Sequence, residues 1–311
     1  MMAEPFPESV LVTGATGLIG RRTLAELTGR CELWAMSRRF PNAPPSDCGS
    51  RLAAPRWIAH DFEETALPAA LPPGVDTVVH LAQAEDHRDF PAGAARIHAV
   101  TANATLQLLD WAWRTGARRF ILASTGGLYA PSPTAIDESS PLGIGDDPLA
   151  FYLTSKRISE LLAERYAAAM TVVVLRFFFV YGPGQRPPML LPRLIASVAE
   201  GRPLTLQGKD GIRLNPLHVD DAARAIARCC ALETGATINL AGPETVSMRR
   251  IGELIGEGLG KPALFAADTA AQPRDWVAGI ARMKTLLGAP LVRPETGVPE
   301  MARAFRDARI G

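Results

Sequence analysis

The stretch Ser9-Val10-Leu11-Val12-Thr13-Gly14-Ala15-Thr16-Gly17-Leu18-Ile19-Gly20 constrains the fold more than any other part of the chain. Val10 to Val12 is a short apolar run of the kind that forms a buried strand. Glycines at 14, 17 and 20 interrupt it just before a helical pattern opens at Arg21. Strand, glycine turn and helix in that order put free backbone N–H groups and a helix N-terminus where a pyrophosphate can sit. The three glycines serve different ends, namely the tight turn, close approach of backbone to phosphate, and close packing of helix on strand. Glycine triplets also arise by chance in loops, but here the flanking strand and helix supply the context the motif requires. Gly14, Thr16, Gly17, Leu18, Ile19 and Gly20 form the candidate cradle.

Strand and helix patterns go on alternating through the first half. Glu32 to Met36 is expected as the second strand, Arg56 to Phe62 as the third and Val75 to Ala82 as the fourth. A helix is expected over 97–113, a strand over 120–125 and a helix from 152 to about 170. Residues 41–55, rich in proline, serine and glycine, read as a loop that is free to move. This order predicts an α/β protein with a Rossmann-type, doubly wound parallel sheet. Ligands bind at the carboxyl ends of such strands, which is where Ser124 and Thr125 fall.

An NAD-type site of this fold wants an acidic residue about 20 positions past the glycine turn, to accept from the ribose 2′-OH. Ser37-Arg38-Arg39 stands there instead. Two guanidiniums beside a hydroxyl suit a 2′-phosphate, so NADP is expected as cofactor, with NAD remaining possible. Tyr152 and Lys156 lie four apart in a helical stretch and share a face. A cation beside a phenol favours the phenolate and is expected to lower its pKa from about 10 towards working pH. That would make Tyr152 a usable general acid/base.

Composition excludes more than it assigns. The 311 residues carry 47% hydrophobic and 21% charged residues, an ordinary soluble composition. A net charge of +1 gives no reason to expect nucleic acid or an anionic membrane as partner. The first seven residues lack the basic and apolar regions of a signal peptide, and the longest apolar run, 171–181, is broken by Arg176 and too short to cross a bilayer. Cys31, Cys48, Cys229 and Cys230 show no metal-type spacing, and the five histidines are scattered, so no metal site is expected. His80, inside a buried-looking strand, reads as a core histidine. A reducing cytoplasm fits best.

The motifs TGATGLIG at 13–20, ASTGGLYA at 123–130, YLTSK at 152–156, LRFFFVYGPGQ at 175–185 and HVDDAARAI at 218–226 together resemble the extended short-chain dehydrogenase/reductase family. The resemblance covers nearly the whole chain. It implies that Tyr152 exchanges a proton with the substrate oxygen, that Lys156 binds the nicotinamide ribose and tunes Tyr152, and that Thr125 hydrogen-bonds the reacting carbonyl or hydroxyl. Asn103 matches a helix asparagine that holds the active-site polar network. Asp61 and Phe62 would lie against the adenine, with Ser37, Arg38 and Arg39 at its ribose. Leu81, Ala82 and Gln83 match a segment that passes under the cofactor, with Gln83 in place of an alanine, and Phe178 would also border it.

The departures bear on the substrate, whose surroundings the resemblance assigns to Gly127, Phe179, Arg213 and Asn215. Relatives acting on nucleotide sugars carry asparagine where this chain has Phe179, and arginine where it has Leu214, with Arg213 one residue early. Both positions touch phosphates in that family, so a standard nucleotide-diphosphate sugar is not expected. Gly126-Gly127 replace the Asp-Glu pair of dehydratases, which leaves elimination of water without its proton donor.

The expected organisation is a dinucleotide-binding domain over 1–182, to which 215–240 returns, and a smaller C-terminal substrate-binding lobe over 183–214 and 241–311. In the lobe, helices are expected over 192–199, 251–259 and 283–287 and a strand over 203–207, whereas 218–232 reads as returning to the main sheet, with Asp220-Asp221 capping a helix. The whole reads as an NAD(P)-dependent epimerase- or reductase-type enzyme for a small polar, sugar-like substrate. A catalytically silent dinucleotide sensor is the alternative. A homodimer through the helices at 97–113 and 152–169 is expected from their surplus of apolar residues (Ile97, Trp111, Trp113, Leu161, Leu162, Tyr166).

Overall fold

The computed structural model describes residues 6–40 and 54–310, apart from Thr65, Asp86, Asp146, Asp147, Pro188, Thr269, Gln272 and Pro273, and apart from the side chains of 308–310. The expected loop at 41–55, with Cys48, lies almost wholly outside the described residues, as do the first five residues. Contacts divide the chain into two units. The first comprises 1–130, 141–176 and 223–238, and the second 131–140, 177–222 and 239–311.

A seven-stranded sheet organises the first unit. Its strands are β1 (Ser9–Thr13), β2 (Glu32–Ser37), β3 (Arg56–Ala59), β4 (Thr77–His80), β5 (Arg119–Thr125), β6 (Thr171–Phe177) and β7 (Ala236–Leu240), in the spatial order 7-6-5-4-1-2-3. The pairs from β3 through β5 are parallel, with Val10 opposite Leu33 on one side and Thr77 on the other. The order reverses at β1, where open α/β sheets bind their ligands. Strands covered on both faces need near-continuous apolar runs, and Val10–Val12, Val78–Val79 and Phe120–Leu122 are all buried.

Helix α1 (Leu18–Leu27) follows β1. The single helix expected over 97–113 is in fact α2 (Ala94–His98), a π-helical turn over Ala99–Asn103 and α3 (Ala104–Arg114). α4 (Ala150–Tyr166) lies against the turn, where the Ser159 hydroxyl donates to the Thr101 carbonyl at 3.2 Å. Leu108, Leu109, Phe120, Leu153 and Ala163 are core residues here. The third and fourth strands are shorter than expected, since both stop short of the turns that carry Asp61 and Leu81.

The second unit has its own core of Leu191, Ile195, Leu254, Ile255, Val298 and Ala302. α5 (Leu190–Ala199), α7 (Met248–Leu259), α8 (Ala281–Leu287) and α9 (Pro294–Ile310) lie in it, and α6 (Val219–Cys229) opens there and runs into the first unit. The Ser247 hydroxyl caps α7 by accepting from the Arg250 N–H at 3.1 Å, and Gly260 ends it at φ +69. Asp220 and Asp221 stand in the first turn of α6, but the Asp221 carboxylate holds the N–H groups of Leu291 and Val292, each at 2.8 Å.

Candidate active site

The glycine turn is built so that only glycine fits. Gly14 has φ +64, and a Cβ there would come within 2.8 Å of the Leu81 carbonyl and the Ala82 nitrogen. The Gly17 N–H donates to the Gly14 carbonyl at 2.9 Å and closes the turn. Gly17 is also the N-cap of α1, with no side-chain cap and no carboxylate in the first turn. First-turn amides have no acceptor within their own helix, so this end offers N–H groups and the positive end of the helix dipole to an anion. These residues fit the pyrophosphate of a dinucleotide. Thr16 and Gly17 are exposed beside them.

β1 and β4 are locked together at this edge. The Thr13 hydroxyl lies 2.8 Å from His80 Nδ1 and accepts from the Ala82 N–H at 3.3 Å. Burial pushes the His80 pKa down to about 3, so it is a neutral core residue. Phe62 is also buried, edge-on to His60 at 4.9 Å, and the Asp61 carboxylate accepts from the Glu63 N–H at 3.1 Å. At the end of β2 the Ser37 hydroxyl donates to the Arg39 carbonyl at 2.5 Å, while Arg38 pairs with Glu85.

Tyr152 and Lys156 come together on one face of α4, but not as the spacing predicted. The Tyr152 hydroxyl, in a side chain only 7% exposed, donates to Gln83 Oε1 at 3.0 Å. The Lys156 ammonium donates to the Ala123 carbonyl at 2.8 Å and lies 5.9 Å from the centre of the Tyr152 ring. Burial therefore raises the Tyr152 pKa above the ordinary phenol value, instead of a cation lowering it. Burial also lowers Lys156 to about 8, against the opposing charge of Glu160. At rest Tyr152 is a protonated donor.

Thr125 ends β5, and its hydroxyl oxygen accepts from the Gly127 N–H at 3.1 Å, which leaves the hydroxyl proton to donate elsewhere. A Cβ on Gly127 would approach Leu153 Cδ2 at 3.0 Å, so a bulky acid there would need rearrangement. Asn103 is the last residue of the π-helical turn, a feature found often at functional sites.

In the second unit, the Phe178 N–H donates to the Leu240 carbonyl at 2.9 Å and its ring is buried. Phe179 has φ +44, which no other non-glycine residue among those described shares in the positive range. Arg213 is tied to Asp275 through its Nε at 2.8 Å. The Asn215 amide is spent on the backbone of Ala278, donating to its carbonyl and accepting from its N–H, each at 2.9 Å.

Several residues at the site carried no assignment in the sequence. His87 lies with its ring 5.1 Å from that of Tyr152 and its Nδ1 3.4 Å from Gln83 Nε2; burial and Arg88 lower its pKa, which keeps it neutral. Further along α4, the buried Glu160 accepts from Ser124 at 2.6 Å and from Arg176 Nε and Nη2 at 2.9 and 2.7 Å. Glu160 stands four residues after Lys156, so helical spacing was the signal that could have found it.

The sequence pattern of the NAD dependent epimerase/dehydratase family matches residues 10–241. This chain belongs to that family. It is thus an NAD(P)-dependent oxidoreductase-type enzyme, and the short-chain dehydrogenase/reductase expectation holds. An uncharacterized UDP-glucose epimerase, YtcB of Bacillus subtilis (strain 168), is 30% identical over 72% of this chain and 72% of its own. A dTDP-glucose 4,6-dehydratase of Streptomyces griseus is 30% identical over 91% and 89%. Among solved structures, the UDP-glucuronic acid 4-epimerase of Bacillus cereus in complex with NAD is similar at a TM-score of 0.79 and 26% identity, over 96% of this chain and 98% of that one. No described helix is long and apolar enough to cross a membrane.

Proposed function

We propose that this enzyme inverts one hydroxyl-bearing carbon of a sugar-like substrate, by transient oxidation to a ketone and reduction from the opposite face. The observation that carries this reading is the set formed by Tyr152, Lys156 and Thr125 beside a glycine cradle suited to a dinucleotide. A bound nicotinamide would take up and return the hydride. Tyr152 Oη removes the hydroxyl proton as a phenolate and returns it as a phenol, so no net proton is gained or lost. The positive charge of Lys156 favours the phenolate when it faces the phenol. Thr125 donates its free hydroxyl proton to the reacting oxygen.

Gly126 and Gly127 supply no acid for loss of water, which weighs against the dehydratase activity named for some relatives. Phe179 and Leu214 cannot bind phosphates, which weighs against an ordinary nucleotide-diphosphate sugar despite the names of the relatives. The test is an NMR assay on a panel of UDP-glucose, UDP-glucuronic acid and the matching unsubstituted sugars. Inversion at one carbinol carbon without net use of reduced cofactor is expected. Stoichiometric consumption of NADPH would make the enzyme a reductase instead. Tyr152→Phe should lower turnover by about 10²–10⁴-fold with cofactor affinity nearly unchanged; activity within a few-fold of wild type would move the proton to another residue.

NADP is read as the preferred cofactor because no carboxylate ends β2 and Ser37-Arg38-Arg39 takes its place. The margin is small, because Arg38 is already paired. Titration of NADH and NADPH fluorescence measures it, and equal affinities would refute it. We further read the enzyme as a homodimer that works in the cytoplasm, a compartment that suits the free thiols of Cys31, Cys229 and Cys230.

A further inference from the structure

β4, β1 and β2 lie side by side, with β1 and its glycine turn in the middle. The loops leaving the outer two both run against that turn. The Ala15 N–H donates to the Met36 carbonyl of β2 at 3.2 Å, and Gly14 abuts the backbone of Leu81 and Ala82 after β4. From these loops Arg38 and Glu85 reach each other and form an ion pair across the end of β1. Their side chains are 42% and 37% exposed, so a competing anion can reach the guanidinium.

We infer that Glu85 sets the choice between NAD and NADP, by holding the guanidinium that a 2′-phosphate at the end of β2 would need. The inference rests on the dinucleotide reading of this site. A guanidinium offers its planar fork to one bidentate anion at a time. NAD carries no 2′-phosphate and leaves the Arg38–Glu85 pair undisturbed. NADP must displace the carboxylate to reach the guanidinium. Glu85 therefore penalises NADP selectively.

The experiment is fluorescence titration of NADH and NADPH on the wild-type enzyme, Glu85→Gln, Arg38→Ala and the double variant. Glu85→Gln should shift affinity towards NADPH over NADH by about fivefold, the scale of an exposed ion pair. Arg38→Ala should shift it towards NADH, and Glu85→Gln should add nothing once Arg38 is gone. An unchanged ratio in Glu85→Gln overturns the inference, and so does a gain that persists without Arg38. Glu85→Ala repeats the measurement, with circular dichroism checking that each variant is folded. If the wild-type enzyme binds neither reduced cofactor, the dinucleotide reading fails and takes this inference with it; if both bind and only the ratio is unmoved, the dinucleotide reading stands alone.

Discussion

Lys156 is a charged group held in a buried place, and its stability cost has a sign that can be read with pH. Its pKa of about 8 in the folded protein is below the usual lysine value of about 10.4 in an unfolded chain. Below pH 8 both states carry the proton and the burial penalty is fully present. Between pH 8 and 10 the folded state sheds its proton first, so the unfolded state binds more protons and stability rises with pH. The total is of order 3 kcal/mol. Lys156→Met lacks this penalty, so its advantage in Tm at pH 7 should shrink by pH 9.5; a constant difference would refute the assignment. Phe179 carries another cost, in its backbone. A bulky residue at φ +44 is strained by about 1–2 kcal/mol, whereas glycine tolerates the region and asparagine is enriched there. Replacing Phe179 by Ala, Asn or Gly loses the same ring packing, so urea melts should rank Gly and Asn above Ala by about 1 kcal/mol; Ala equal or best would refute the strain. The sequence showed Tyr152 and Lys156 because their relation is local, and Thr125 because it ends an apolar strand run and fits the family resemblance. It could not show Gln83 as the partner of the phenol, since that contact joins positions 69 apart.

α4 places three working side chains at steps of four: Tyr152 and Lys156 at the site and Glu160 behind it. Glu160 is 1% exposed, and its carboxylate joins α4 to β5 through Ser124 and to β6 through Arg176. Arg176 in turn lies over the Tyr129 ring, 4.7 Å from its centre. Glu160→Ala leaves a buried guanidinium without its counter-charge and should destabilise the protein by about 3–5 kcal/mol in denaturant melts. A loss below 1 kcal/mol would mean that water or another group takes over. Periodicity made the other elements legible to different degrees. β1, β2 and β5 were readable because each is a short apolar run bounded by turn residues. α2 and α3 merged into one expected helix because the π-helical turn at 99–103 adds a residue without breaking the apolar spacing. α9 gave no signal, as Pro299 stands inside it where a proline normally ends a helix.

At the scale of the molecule, the apolar surplus read from the sequence divides in two. Ile97 is fully buried, and Trp111, Leu162 and Tyr166 pack against the core. Trp113, Leu161 and Leu106 remain 52%, 43% and 41% exposed on α3 and α4. These three carry the proposed dimer, so light scattering should find a dimer in the wild-type enzyme and a monomer in Trp113→Asp/Leu161→Asp; a monomeric wild type at micromolar concentration would rule it out. The order of the sheet has a further consequence during synthesis. Six of its strands have been synthesised once residue 177 is made, yet β7, which covers β6, begins only at Ala236. Throughout the intervening stretch the Val172–Leu175 run forms an uncovered edge, a template on which another nascent chain can pair. A message cut short between codons 178 and 235 would therefore yield an aggregating product and not a smaller working domain.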